Sequence, residues 1–130
     1  MFDHIGFSTP DLDRSRAFYE AALAPLGIRC LHEVTPEMTG SDEAFLGFGK
    51  ERPQFWIGTG KLHQLGIHLA FTAADRATVD AFYRAAMAAG GRDNGPPGLR
   101  PQYHADYYGA FVLDPDGHNI EAVCHAAAIA

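Results

Sequence analysis

Two histidines and one glutamate carry the chemistry most legible in this sequence. His4 stands in Asp3-His4-Ile5-Gly6-Phe7, His68 in Ile67-His68-Leu69-Ala70-Phe71, and Glu121 in Asn119-Ile120-Glu121-Ala122-Val123-Cys124. Each lies in a segment that alternates apolar and small or polar residues, the period of a half-buried strand. A glutamate turned inward among such neighbours needs a partner, because a buried, unpaired carboxylate is costly. Two imidazoles and one carboxylate on one face suit a divalent cation and leave coordination positions open for water or substrate. Fe(II), Mn, Zn, Ni and Co all fit such a set, so one divalent metal is expected and its identity stays open.

The elements that must position these residues come from an internal repeat, the first feature to seek in any chain. Sliding the sequence by 64 residues lays His4-Ile5-Gly6-Phe7-Ser8 over His68-Leu69-Ala70-Phe71-Thr72. The same offset aligns Asp11 with Asp75, Ala17-Phe18-Tyr19 with Ala81-Phe82-Tyr83, and Gly27 with Gly91. One offset that serves a strand, a helix and its stop signal marks a duplicated module. Module one spans about residues 1–64 and module two about 65–125 of a single domain covering 1–130. The AFY segments are core.

Each copy opens with a strand and continues into a helix. Asp11 or Asp13 caps the first helix, which runs to about Leu23 and is stopped by Pro25 and Gly27. The second helix is expected from about Asp75 to Ala89, with Gly90-Gly91 beyond it. Three shorter strands follow each helix: near 28–34, 44–49 and 54–58 in module one, with the last two of module two near 108–113 and 119–124. Asp114-Pro115-Asp116-Gly117 is a tight turn between the last two. The stretch 92–107 is loop-like, rich in Gly, Pro and Tyr, and its strand content stays open. The fold class expected is α+β: two tandem βαβββ modules forming a curled, mixed, eight-stranded sheet around a metal-binding cleft. If the modules pack pseudo-symmetrically, His4 and His68 converge from matching strands and Glu121 completes the set.

The repeat also predicts what is missing. Aligning the closing hairpins by their ends places Trp56 opposite Glu121, so the set has three protein ligands, and Trp56 walls or stacks on whatever binds. Leu99 to Tyr108 holds Arg100, Tyr103, His104 and Tyr108 just before a cleft strand. These are candidates for the substrate pocket, and Tyr103 and His104 for acid–base groups; a loop packing its own aromatics explains them equally well. His118 is expected beside the turn in solvent. His32, His63 and His125 are expected at the surface. Cys124 is expected as a small buried hydrophobe.

Composition narrows the classes. A net charge of −6 with scattered Lys and Arg offers no electrostatic footprint for nucleic acid or an anionic membrane. No apolar run approaches a membrane span, and Met1-Phe2-Asp3-His4 opens like a strand and not a secretion signal. Two cysteines make no disulfide framework, and the expected location is the cytoplasm.

The chain resembles the vicinal-oxygen-chelate superfamily, which includes glyoxalase I, extradiol dioxygenases, and fosfomycin- and bleomycin-resistance proteins. The carriers are Asp3-His4-Ile5-Gly6-Phe7 with Asp11 to Tyr19 at the front, and Phe111 to Glu121, with its Asp114-Pro115-Asp116-Gly117-His118-Asn119-Ile120-Glu121, at the back. The resemblance covers nearly the whole chain and says little about substrate. It implies paired modules around a divalent metal held by His4, His68 and Glu121, with a small oxygenated molecule chelated to it. A homodimer is also implied, since such families often build their clefts by pairing modules across subunits. Glyoxalase I carries a fourth ligand, a glutamate, where Trp56 falls here, which argues against that activity. Dioxygenase, isomerase or lyase, and transferase chemistry stay open, as does non-catalytic binding of a small molecule or antibiotic.

Overall fold

The computed structural model describes residues 1–61 and 66–128. His63 lies outside them. The elements run β1 (Ile5–Thr9), α1 (Leu12–Leu23), a 3-10 turn (Ala24–Leu26), β2 (Arg29–Val34), α2 (Pro36–Thr39), β3 (Phe45–Gly49) and β4 (Phe55–Thr59) in module one. Module two repeats the order as β5 (His68–Thr72), α3 (Arg76–Ala88), β6 (Arg92–Leu99), β7 (Tyr108–Leu113) and β8 (Asn119–Cys124). The α+β class and the two βαβββ modules stand as the repeat implies.

Local chemistry sets the helix ends. The Asp11 carboxylate accepts from the Arg14 amide at 3.1 Å, and Asp75 accepts from Thr78 at 2.7 Å. These repeat-related aspartates satisfy amides that the first helical turn leaves free. Gly27 closes the 3-10 turn that follows the first helix, with φ of 75°, a left-handed conformation that favours glycine.

The eight strands divide into two four-stranded mixed sheets, ordered β1-β4-β3-β2 and β5-β8-β7-β6. β1 and β5 are therefore sheet edges, each paired in parallel with the last strand of its own module. The stretch 92–107, loop-like in composition, divides in two. Residues 92–99 form β6, whose Gly and Pro content is accommodated by register shifts against β7 between Asp93 and Gly98. Only the segment after Leu99 is loop.

The core lies where the helices meet each other and one side of each sheet. Phe18, Tyr19, Ala22 and Leu23 of α1 and Val79, Phe82 and Ala86 of α3 are fully buried with Ile57, Val112, Ile120 and Ala122. Gly91 marks how closely the modules approach, since a Cβ there would stand 2.4 Å from Val112 and 2.9 Å from Phe18. Phe55 of module one packs edge-on against Phe71 of module two at 5.6 Å. Both sheets thus spend their apolar side on the shared core, and each keeps its other side for something else. Among the described residues, no helix is long and apolar enough to cross a membrane.

Candidate metal centre

Glu121 alternates on β8 with Ile120 and Ala122, which enter the core, so its side chain leaves on the opposite side of the sheet. It is nonetheless only 1% exposed. Two groups close over it. Oε1 lies 3.1 Å from His68 Nε2, and Oε2 accepts a short hydrogen bond from the Tyr107 hydroxyl. Gly109, also on this side, lets the carboxylate lie against the backbone: a Cβ there would stand 3.2 Å from Oε2.

His68 is oriented from behind. Its Nδ1 is 3.1 Å from the Asn119 carbonyl oxygen, which can only accept, so Nδ1 carries the proton. Nε2 then turns a lone pair toward a carboxylate oxygen, and two acceptors facing each other at this distance require a cation between them. A proton serves, and so does a metal. A ligating imidazole whose other nitrogen donates to a backbone carbonyl is the usual arrangement at metal sites. The Phe111 ring stacks beside His68 at 6.2 Å, giving the pair an apolar wall. The donor set therefore fits a divalent ion.

Tyr107 was not among the residues the sequence singled out, although it stands inside the segment that supplied four others. Its signal was positional: it shares the odd-numbered side of β7 with Gly109 and Phe111, the side from which Glu121 projects. Partial burial pushes its phenol above the ordinary tyrosine range, and the hydrogen bond to Glu121 adds to the shift. The hydroxyl therefore stays a donor through neutral and mildly alkaline pH. It holds Oε2 and leaves Oε1 directed at His68. Tyr107→Phe is expected to weaken metal binding by about 10- to 100-fold, the effect of losing an outer-shell partner, with the fold retained. Isothermal titration with Mn(II) or Zn(II) beside a thermal melt checks this.

His4 lies elsewhere. It precedes β1 on module one, its side chain is 62% exposed, and its Nδ1 is bonded to Asp3 Oδ1 at 2.8 Å. Asp3 also pairs with Arg52 at 3.2 Å, and the His4 hydrogen bond and this charge lower its carboxyl pKa. Within the described residues of one chain His4 joins no cluster of ligating atoms with His68 and Glu121. Pseudo-symmetric packing was the condition for convergence, and within one chain the described residues do not bring His4 to the other two. The modules meet through their helix-bearing sides, so the histidine sides belong to separate sheets.

Trp56 shares a recess with Asp3, His4, Phe45 and Pro53, and its indole lies over Gly47, where a Cβ would touch it at 2.8 Å. Its register is informative. Gly6 pairs with Trp56 as Ala70 pairs with Glu121. The indole thus occupies on sheet one the place the carboxylate occupies on sheet two. His32 meets its edge at 5.9 Å.

The segment after β6 is divided in its loyalties. His104 and Tyr103 both pack against Tyr107, at 5.4 and 4.9 Å between ring centroids, so they border the Glu121 site through that residue. His104 Nδ1 accepts from the Asp106 amide, and its Nε2 meets His125 Nδ1 at 2.8 Å. Arg100 spends its guanidinium on the Gly98 and Pro96 carbonyls and stacks over Phe111. Tyr108 is on the wrong side for a pocket beside Glu121. Its hydroxyl donates to Asp80 of α3 at 2.6 Å, since the even positions of β7 face the helix.

Two further placements matter. Cys124 is buried, and both cysteines are free. His118, expected in solvent, is fully buried, because β8 begins immediately after it and draws its ring under Phe7 at 4.8 Å.

The matching family model, described as the glyoxalase/bleomycin resistance protein/dioxygenase superfamily, covers residues 1–122. A glyoxalase/bleomycin resistance protein from Albidiferax ferrireducens T118 superposes with a TM-score of 0.77 at 30% identity, over 95% of this chain and 98% of that one. A maize glyoxalase I mutant gives 0.72 at 20% identity, over 94% of this chain and 46% of its own longer one. The fosfomycin resistance protein FosX of Listeria monocytogenes, in a mutant complexed with Mn(II) and a dihydroxypropylphosphonic acid, gives 0.67 at 22%, over 99% and 91%. No curated protein matches the chain. Likeness at about 20% identity speaks for the fold alone, but the family model and the 30% relative together span almost every residue: this chain belongs to the glyoxalase/bleomycin resistance protein/dioxygenase superfamily.

Proposed function

We propose that the protein is a metal-dependent enzyme acting on a small oxygenated substrate. His68 and Glu121 of one copy and His4 of a second copy hold the divalent ion. The observation that carries this reading is the facing pair of His68 Nε2 and Glu121 Oε1, two acceptors 3.1 Å apart with both supporting groups in place. FosX, which shares the fold, is a metal-containing member of the superfamily. A metal bound here would supply Lewis-acid stabilisation of oxyanion character on the substrate. The chain's own residues do the rest. His68 and Glu121 would hold the ion, Phe111 gives the pair an apolar wall, and Tyr107 donates to Oε2 and leaves Oε1 free for the ion.

A second copy enters because His4 cannot complete the set from its own chain. Its recess with Trp56 is the uncovered side of sheet one, and the His68–Glu121 pair is on the uncovered side of sheet two. Bringing one of each together across a homodimer places the indole opposite the carboxylate, as a wall of the cleft.

Complementation tests this. His4→Ala and His68→Ala proteins each lack one ligand at every site. When co-refolded, a mixed dimer contains one doubly damaged and one intact site, so metal binding returns in the mixture and in neither parent. A mixture that binds no better than its parents would exclude the shared site.

The alternative, non-catalytic binding of a small molecule, has one observation in its favour. A cavity of about 280 Å3 opens beside His4 between the modules, lined by Ile5, Phe48, Phe55, Leu69 and Phe71. It contains neither His68 nor Glu121. Its walls are mainly apolar, with Asp3, His4, Lys50 and Gln54 among them, which suits retention of a largely hydrophobic molecule. Tight binding of an apolar probe, undiminished in Glu121→Ala, would favour that reading.

A further inference from the structure

The turn between β7 and β8 holds a second set of donors, remote from Glu121 in chemistry and on the core side of the sheet. One oxygen each of Asp114 and Asp116 and one ring nitrogen of His118 lie within 4.8 Å of one another. All three side chains are buried: Asp114 is 1% and His118 0% exposed, and the Asp116 carboxyl is 2% exposed. Asp114 is well satisfied. Its Oδ1 accepts from the Asp116 and His118 amides, and its Oδ2 from Tyr19 at 2.5 Å. Tyr19 is a dependable donor, because burial and then the charge of Asp114 push its phenol well above the ordinary range.

The other two are not satisfied. Asp116 gives Oδ1 to Arg14 at 3.2 Å, but its Oδ2 is buried without a partner, and so are both ring nitrogens of His118. A neutral imidazole always carries one N–H and one lone pair, so one unmet donor and one unmet acceptor are buried side by side with an unmet carboxylate oxygen. Buried polar groups left so are costly, which favours a ligand that joins them. The gaps among them are too long for hydrogen bonds. A cation at about 2.0–2.2 Å from each donor would close them with small side-chain shifts. Charge agrees, since among the described residues the two buried carboxylates face one guanidinium, that of Arg14.

The hairpin chemistry of this turn does not demand the set. The corresponding turn of module one, Lys50-Glu51-Arg52-Pro53-Gln54, makes the same β-hairpin with no histidine and a single carboxylate. The extra donors also sit at a junction. Tyr19 and Arg14 reach them from α1, and Phe7 covers His118 from β1, all of module one.

We propose that Asp114, Asp116 and His118 bind a structural divalent cation of the zinc type, separate from the Glu121 centre, which locks the β7–β8 turn of module two onto α1 of module one. One imidazole and two carboxylates form a borderline donor set that favours Zn(II) or Co(II) over Mg(II) or Ca(II).

The test uses the full-length His68→Ala/Glu121→Ala protein, so that the open-face pair is gone. It is unfolded in chelator, then refolded with Co(II) or Zn(II). The expected result is one Co(II) per chain with visible ligand-field bands, and a higher melting temperature with either metal. Adding Asp116→Asn, which keeps size and shape, abolishes both, while the far-ultraviolet circular dichroism stays native. His118→Gln does the same; if it does not fold, Asp116→Asn decides. A background protein that takes up neither metal overturns the proposal. So does an Asp116→Asn protein that keeps the cobalt bands and the melting shift.

Discussion

Replacing Glu121 with alanine is expected to remove metal binding at the open face while leaving the protein as stable as before. Loss of an outer-shell group costs 10- to 100-fold in affinity, so loss of a ligand is expected to cost more than about a hundredfold. The stability side is less intuitive, because Glu121 is 1% exposed and bonded to two side chains. Removing one partner of a buried pair is ordinarily damaging, since it strands the other charge. Here the partners are not stranded. His68 is half exposed and Tyr107 stands at the edge of the site, so water takes over both contacts. The desolvation cost of the carboxylate disappears with it. The two effects offset, and the melting temperature should move by no more than the equivalent of about 1 kcal/mol. Metal titration beside a thermal melt reads both. A large drop in stability would mean that the Tyr107–Glu121–His68 chain serves the fold, and would sink the functional reading of this residue.

The largest stability effects are expected at Phe18 and Phe82, the repeat-related rings on α1 and α3. Both are fully buried in one core, and truncating such a ring to alanine costs about 3–5 kcal/mol. That is a large share of the 5–15 kcal/mol typical of a native protein. Since α1 packs on α3 and both sheets feed the same cluster, Phe18→Ala is expected to lower the stability of module two as well. Chemical denaturation followed separately by Trp56 fluorescence and by circular dichroism should give coincident transitions in both variants. Two separated transitions in Phe18→Ala would show that the modules are independent units.

Much of this arrangement was legible because duplication prints itself at a fixed offset. The strand histidines and both helices with their aspartate caps follow from sliding one half over the other, and the Trp56–Glu121 correspondence from aligning the closing hairpins by their ends. Residues 92–99 escaped because β6 is built from Gly and Pro, which propensity assigns to loops, and is held in place by β7. His118 escaped for a related reason. A histidine after Asp-Gly reads as solvent-facing, and nothing local reports that Phe7 of the other module will cover it. The site divided in the same way. His68 and Glu121 meet because β5 and β8 are neighbours within one module. His4 stays apart because its place relative to the other two depends on how whole modules pack, which residue types do not encode locally. Tyr107 was hidden among more conspicuous neighbours, and only the parity of β7 separates it from Tyr108.

The parallel pairing of each module's first and last strands also governs the order in which the chain can fold. Ile5 must wait for Phe55, and His68 for Asn119, whereas β3–β4 and β7–β8 are joined by short turns. Hairpins close within microseconds, but pairings distant in sequence carry the entropy of the loop they enclose and come later. The contact between Tyr19 and Asp114 spans 95 residues and cannot form before both modules have largely closed. During synthesis, module one can therefore pair its own strands first, with the apolar side of α1 exposed until α3 arrives. A ribosome that pauses near residue 64 would present that surface to chaperones, or to the same surface on another nascent chain.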